Sequence, residues 1–293
     1  MIRAHPILPF AAAITGIATF SAMDAVMKGA SIEAGVYNAL LLRCACGTLL
    51  MLPIWALSGA RRPGAGALRV HMVRSVVVTG MALLFFWGLV RIPLAEAIAL
   101  SFIAPLIALF LAAVLLGETI QPKAVIASLL GLGGVLVIAA ERIVSGTLDA
   151  NTGWGIAAVL ASAVLYAWNL ILQRQQAQLA SPQEVALFQN LLVAAILALA
   201  SPWLLVWPAA GALRGIVFAA FLAIVSLMLL SWGYARAETQ ALVPVEYSGF
   251  IWAALFGWLI YGEVVTWATL LGVVLIVIGC WIAARKPTEM TAL

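Results

Sequence analysis

Charged residues are scarce in this chain. Only 9% of its 293 residues are Asp, Glu, Lys or Arg, and 66% are hydrophobic, whereas about a quarter of an average soluble domain is charged. The mean hydropathy is +1.16. A soluble fold of this length has too small an interior to bury so much apolar surface, so the composition predicts a protein of the lipid bilayer. The basic residues are spread along the chain rather than clustered, which argues against nucleic acid as a partner.

Residues that support catalysis or metal binding are also few. The chain has two histidines, His5 and His71, and both are expected at membrane edges. Its three cysteines, Cys44, Cys46 and Cys280, lie in apolar runs without a neighbouring histidine, which is typical of packing residues. No His-Glu-x-x-His motif and no glycine-rich nucleotide loop occurs. The sequence therefore predicts no cofactor, no resident metal and no enzymatic activity, and a channel or an intramembrane enzyme remains a weaker alternative.

Long apolar runs dominate the sequence. A helix needs about 20 mostly apolar residues to cross the hydrocarbon core, and ten stretches meet or approach this length. Because ten is an even number, both termini are expected on the same side. The predicted spans are Ile7–Met27, Val36–Leu57, Met72–Val90, Leu94–Leu116, Ala124–Ala140, Trp154–Leu172, Val185–Trp207, Leu213–Tyr234, Ala241–Tyr261 and Val265–Ala284.

The orientation follows from the Lys and Arg residues between the spans, which accumulate on the cytoplasmic side of membrane proteins. With the amino terminus inside, ten basic residues face the cytoplasm and four, Lys28, Arg91, Arg142 and Arg214, face outward, while Arg43 lies within a span. We therefore predict a multi-pass protein of the cell inner membrane with both termini in the cytoplasm.

The chain contains an internal repeat. Trp87-Gly88-x-x-Arg91 recurs as Trp232-Gly233-x-x-Arg236, always with an offset of 145 residues. The pair Gly117-Glu118 recurs as Gly262-Glu263 at the same offset, and so does Gly134 as Gly279. Three matches in one register indicate a duplicated unit. Residues 1–145 and 146–293 would each hold five spans, and copies with an odd number of spans insert with opposite polarity. The fold class predicted is all-α integral membrane, with ten transmembrane helices as two inverted five-helix repeats, an arrangement that is common in secondary transporters.

These features resemble the drug/metabolite transporter superfamily. Two five-helix halves, with the fourth span of each ending in Leu116-Gly117-Glu118 and Tyr261-Gly262-Glu263, are most similar to the ten-helix EamA-type exporters. The resemblance implies a central cavity, alternating access without ATP hydrolysis, and export of small metabolites. Bacterial exporters of amino acids, including aromatic ones, look most similar, and exporters of drugs, nucleosides or amines are the alternative.

Two opposite charges lie within the first two spans, Asp24 and Arg43. A charge at bilayer depth costs a few kcal/mol, so each needs an explanation. One interpretation is a buried ion pair that cancels charge between neighbouring helices. The other assigns them to an outer gate or to contacts with a zwitterionic substrate. The repeat places Asn169 of the sixth span at the position of Asp24.

Spans 4 and 9 carry the next candidates. Glu246 lies at the start of span 9, where the first half has Ser101. We expect Glu246 either to face the cavity, where it binds a substrate ammonium group or a coupling proton, or to lie in water near the cytoplasmic boundary. Pro105 removes a backbone hydrogen bond in mid-span, and Pro244 precedes Glu246. Broken helices at this depth often line binding sites, so both prolines are gating candidates; simple kinks are the alternative.

Aromatic residues near these polar positions complete the predicted substrate site. We expect flat surfaces for an apolar or aromatic substrate at Trp87, Tyr166, Trp168, Trp232 and Tyr247, with packing against lipid or helices as the alternative.

Spans 5 and 10 carry small residues seven apart, Ala127 with Gly134 and Gly272 with Gly279. Seven residues make two helical turns, so each pair lies on one face. Such faces permit close helix packing, and a contact in a homo-oligomer is a second use for them. The other expected partners are the bilayer, a small-molecule substrate and a coupling proton.

Overall fold

A computed structural model describes residues 8–59, 63–116, 122–146, 149–234, 236 and 245–284. These residues are almost entirely helical. The helices, numbered here in chain order, are α1 (Leu8–Ala34), α2 (Val36–Leu57), α3 (Ala65–Leu89), α4 (Leu94–Ser101), α5 (Ala104–Leu116), α6 (Pro122–Val144), α7 (Ala150–Ala177), α8 (Pro182–Ala198), α9 (Ser201–Leu204), α10 (Ala210–Tyr234), α11 (Ser248–Tyr261) and α12 (Trp267–Ala284).

Six of these helices, α1, α2, α3, α6, α7 and α10, are long and apolar enough to cross a membrane by length and composition. Four shorter apolar helical segments begin at Leu94, Pro182, Ser248 and Trp267 and overlap predicted spans 4, 7, 9 and 10. The all-helical membrane class is thus confirmed, while ten crossings remain a prediction.

Several helices are longer than the apolar runs from which they were predicted. α1 continues seven residues beyond Met27, so Lys28 is a buried helical residue rather than part of an outside loop. α3 starts seven residues before Met72, which places His71 inside the helix and wholly buried. The loop position predicted for Lys28 was wrong, and α3 begins before its predicted span, because a hydropathy boundary stops at a polar residue, whereas a helix continues when that residue finds buried partners.

Neighbouring helices of the two halves pack in antiparallel pairs. In the pair α3 and α7, Ser162 Oγ donates to the Met81 carbonyl at 2.8 Å. In the pair α1 and α10, Ser226 Oγ donates to the Gly16 carbonyl at 2.7 Å. Met81 and Ser226 are 145 residues apart, so the same crossing point is bonded in both pairs. The repeat in the sequence is therefore also a repeat of the helix contacts.

The crossing of α6 and α12 shows the relation between the halves at one point. A Cβ built on Gly134 would lie 2.5 Å from the Gly272 carbonyl oxygen, and one on Gly279 would lie 2.6 Å from the Ala127 carbonyl oxygen. Adding 145 converts Gly134 into Gly279 and Ala127 into Gly272, so each contact is the repeat equivalent of the other. Because residue 127 meets 279 and residue 134 meets 272, the equivalent helices run antiparallel, as oppositely inserted halves require. The expected close packing of these small residues is confirmed.

The two ends of the bundle can be told apart by their contacts. Lys28 near the end of α1 donates to the carbonyl of Ile92, just beyond α3, at 2.8 Å, so α1 and α3 finish at the same end. We call this the outer end, following the predicted orientation. The inner end is the opposite one, where α7 finishes and α8 begins.

Candidate functional site

Two helix breaks meet at the centre of the bundle. Predicted span 4 divides into α4 and α5 around Phe102 and Ile103, with Pro105 in the first turn of α5. Pro105 needs no hydrogen-bond acceptor there, so the mid-span break expected from it is confirmed. In span 9 a turn at Tyr247 precedes α11. Phe102 and Tyr247 are repeat equivalents, and their rings contact edge to face with centroids 5.3 Å apart. Pro244 lies outside the described residues.

Polar groups flank this central contact. Ser101, the last residue of α4, is half-buried and donates its hydroxyl to the Ala97 carbonyl at 2.9 Å. Its equivalent Glu246 is exposed and interacts electrostatically with Tyr166 and Tyr247. Tyr247 also lies against Cys280. The breaks therefore place a hydroxyl and a carboxylate beside the point where the two halves touch.

Tyr166 lines an internal crevice rather than the outer surface. Its side chain is 36% exposed, but it interacts electrostatically with Glu246, Arg74 and Asp24, which lie on three other segments of the chain. On α7, exposed residues recur at three- and four-residue spacing on one face, Trp154, Ala157, Ala161, Val164 and Trp168. Tyr166 lies on the opposite face, together with Ser162, Asn169 and Gln173, so the inward side of this helix is polar.

Asp24 and Arg43 lie at the side of this crevice without bonding to each other. Their charges interact, but among the described residues they form no direct ion pair. Asp24 is buried, and its Oδ2 accepts no hydrogen bond within the described part of the chain. Among the residues that the structure describes, Arg43 donates only to sulfur, at 3.8 Å to Met23 and 3.7 Å to Cys44, and its buried Nε has no hydrogen-bond partner. The ion pair expected as the simplest explanation is not formed, which leaves two opposite charges incompletely satisfied.

The tryptophans predicted for the cavity lie on the outward surface instead. Trp168 belongs to the exposed face of α7. Trp87 is exposed and carries the guanidinium of Arg91 over its ring, 3.4 Å from the centroid. Trp232 repeats this arrangement with Arg236 at 4.3 Å. In both copies the arginine also donates to the carbonyl of its tryptophan, four residues earlier. The repeated motif therefore forms a local stacked pair at a helix end, and these three tryptophans take no part in the central crevice.

Asn169, the repeat equivalent of Asp24 and a candidate for substrate binding, is bonded to a side chain of α3. Its side-chain oxygen accepts from Arg74 Nε at 2.8 Å, and Arg74 also donates to Gln176 and Gln173. His71 joins the same cluster at the inner end. The sequence signal for this cluster is a ladder on α7, in which Asn169, Gln173 and Gln176 follow at four- and three-residue spacing and share a face.

A second buried cluster joins the halves at the outer end. Lys28 pairs with Glu263, and Glu263 Oε2 accepts from the Leu94 backbone N–H at 2.7 Å. The carboxylate thus caps the amino terminus of α4. Gly262 makes this position accessible because it ends α11 with φ of 65°, in the left-handed region that favours glycine. Glu118, the equivalent of Glu263, lies outside the described residues.

Comparisons with known proteins agree with this architecture. The model of the EamA-like transporter family matches the chain twice, over residues 8–140 and 153–285, with starts 145 residues apart. Over 271 residues the chain is 30% identical to the pseudopaline exporter CntI of Pseudomonas aeruginosa, covering 91% of this chain and 92% of that protein. It is 29% identical over 189 residues to an uncharacterized transporter of Helicobacter pylori, 62% of each chain. A solved crystal structure with 22% identity superposes with a TM-score of 0.64 and covers 94% of this chain and 96% of that one, which shows a shared fold.

Proposed function

Because the chain belongs to the EamA-like transporter family, we propose that it is a secondary transporter that exports small zwitterionic metabolites, with amino acids, including aromatic ones, as the first candidates. The two halves, residues 1–145 and 146–293, rock against each other in the inner membrane and expose the central crevice to alternate sides. Both termini remain in the cytoplasm, which agrees with the distribution of basic residues.

One observation carries the substrate class, namely the incomplete bonding of Asp24 and Arg43. A buried charge without a partner costs several kcal/mol, so such groups are retained where a ligand supplies the missing partner. An amino acid brings a carboxylate for Arg43 and an ammonium group for Asp24. Because the two residues do not bond to each other, neither must give up a strong partner when the substrate enters.

The surroundings of the two charges support the same class. Phe86 lies under Arg43, with the ring centroid 5.9 Å from Cζ, and Tyr166 and Tyr247 face the crevice from the second half. These rings offer apolar surface to a substrate side chain. Glu246 supplies a second carboxylate, which binds either the ammonium group or a coupling proton. The similarity to a pseudopaline exporter supports export as the direction of transport.

Counterflow in proteoliposomes tests the proposal, with a panel of amino acids, amines and nucleosides. A hydrogen bond to a charged group contributes about 1.5–3 kcal/mol, so Arg43→Gln and Asp24→Asn should each raise the apparent KM about tenfold or more. Arg214→Gln and Glu33→Gln are matched controls, because both residues are exposed helical ones outside the crevice. Wild-type kinetics in both crevice variants would refute the assignment, and selectivity for amines or nucleosides would replace the zwitterion by that class.

Glu246→Gln separates the two roles of this carboxylate. If it binds a coupling proton, the pH dependence of flux disappears while the KM changes little. If it binds the ammonium group, the KM rises and the pH dependence is retained.

A further inference from the structure

A buried hydrogen-bonded cluster joins the two halves at the inner end. His71 on α3 is wholly buried, and its Nε2 lies 3.1 Å from Glu184 Oε1 on α8. Its Nδ1 contacts the side-chain nitrogen of Gln176 on α7. The imidazole ring also stacks on Phe188 of α8, with centroids 5.1 Å apart. Thus one side chain of the first half holds two helices of the second.

The donors of this cluster can be ordered from chemistry alone. Arg74 has only N–H donors, so the Gln176 atom that it contacts is the carbonyl oxygen. The amide nitrogen of Gln176 therefore points at His71 and donates to Nδ1, which must be an unprotonated acceptor. Nε2 then carries the proton and donates to Glu184. These hydrogen bonds form a directed chain, in which each donor points from Arg74 through Gln176 and His71 to Glu184. This directed chain requires a neutral imidazole.

Protonation of His71 is incompatible with this order. A proton on Nδ1 would face the amide N–H of Gln176, donor against donor. Rotating the Gln176 amide by half a turn would repair that contact but would direct its N–H groups at the Arg74 guanidinium, which also has only donors. One hydrogen bond between α3 and α7 is therefore lost whichever way the amide turns.

The neighbouring ionisable groups determine where a proton is held. Glu184 lies in the first turn of α8, where its backbone N–H donates to the capping Ser181 hydroxyl at 3.3 Å, and a helix amino terminus favours a negative charge. Arg74 is permanently charged, and Tyr166 on α7 interacts with it. The element α2 faces Phe188 with the uncharged Trp55. Glu184 keeps some exposure, so water at the inner end can reach the cluster through it.

We propose that His71 and Glu184 form a proton-binding site that loosens the inner end of the bundle, because uptake of one proton by His71 breaks the link that Gln176 makes between α3 and α7. This inference extends the proposed transport function, since it assigns to this cluster the control of access from the cytoplasmic side. It adds a site distinct from the crevice at Asp24 and Arg43. Release of the proton re-forms the directed chain and closes the inner end.

Hydrogen exchange on the whole protein in nanodiscs, followed by mass spectrometry between pH 5.5 and 8, tests the proposal without requiring transport. After correction for intrinsic exchange rates, amides of residues 173–185 should exchange faster at the acid end of this range than at the alkaline end, and the exchange curve gives the midpoint of the transition. The outer segment 88–96 serves as the internal control. His71→Gln removes the titrating group and should abolish the transition. Arg69→Gln, an exposed residue on the same helix, should leave it unchanged.

Glu184→Gln tests whether the carboxylate sets the pH of the transition, which would not change if Glu184 only supported the packing of α8. It removes the negative charge that lies beside His71 Nε2 and favours a protonated ring, so the transition should move to lower pH. No transition in the wild-type protein, or a retained one in His71→Gln, would overturn the proposal, as would an unshifted midpoint in Glu184→Gln. If the transition behaves as expected but no solute shows counterflow, the gate stands and the transport function fails. Counterflow without the transition would mean that the transport function stands and the gate fails.

Discussion

Substitution of Glu263 tests the coupling of the two halves at the outer end. Lys28 is only 5% exposed, and its Nζ has two partners, the Glu263 carboxylate and the Ile92 carbonyl. Glu263→Gln keeps the size of the side chain but removes its charge, so Lys28 becomes a buried cation that has lost its directly bonded carboxylate. Breaking one partner of a buried pair costs about 3–5 kcal/mol, and since the side chain of Glu263 is itself 17% exposed, we expect the lower figure.

The double variant Lys28→Met with Glu263→Gln separates the cost of the unpaired cation from other effects of the substitutions. Removing both charges eliminates the unpaired cation, so it should recover at least about 1.5 kcal/mol relative to the sum of the single variants. For chains of about this size, 1 kcal/mol corresponds to about 2–4 °C in melting temperature, so Glu263→Gln should melt about 6 °C or more below the wild type.

Thermal unfolding in one detergent, followed by tryptophan emission, measures these differences. Glu33→Gln is the control, because Glu33 is an exposed carboxylate on the same helix as Lys28, and it should melt with the wild type. The reasoning is refuted if Glu263→Gln also melts within a degree of the wild type, or if the effects of the two single substitutions simply add in the double variant.

Two further predictions concern single positions. Gly134→Ala places a Cβ 2.5 Å from the Gly272 backbone oxygen and should lower the melting temperature. Gly133→Ala meets nothing within 4 Å and should raise the melting temperature slightly, since alanine is the better helix former. Equal effects of the two substitutions would contradict the crossing of α6 and α12 described above. Asp149, outside the spans, accepts hydrogen bonds from Thr152 that hold its pKa below the usual value. Its capping contribution to α7 is therefore present above about pH 4 and is lost in more acid solution, so exchange of the Thr152 amide should accelerate there, and in Asp149→Ala that acid step should be absent.

Steric signals in the sequence predicted the fold well. Gly134 and Gly279 stand out because only a residue without a side chain permits the backbone contact at the crossing of α6 and α12. Pro105 stands out because it lacks the backbone N–H that a residue in a helix interior donates. Such features act through the backbone and need no knowledge of neighbours, so they can be read from one chain.

The direction in which a side chain points was much harder to predict. In a membrane, lipid and protein interior are equally apolar, so hydropathy does not separate the outward Trp168 from the inward Tyr166, two residues earlier. Their faces become clear only from the exposed stripe on α7. His71 and Lys28 were missed for a related reason, because each polar residue ended an apolar run although its partners lie on distant segments.

The stacked tryptophan and arginine pairs have a consequence for the membrane itself. α3 finishes at the outer end, and α10, antiparallel to α1, finishes at the inner end, so Trp87 with Arg91 and Trp232 with Arg236 mark opposite boundaries of the bundle. Rings and guanidinium groups of this kind settle at the level of lipid headgroups. On the proposed insertion, each leaflet would hold one equivalent anchor, and a thinner or thicker bilayer would strain both halves alike.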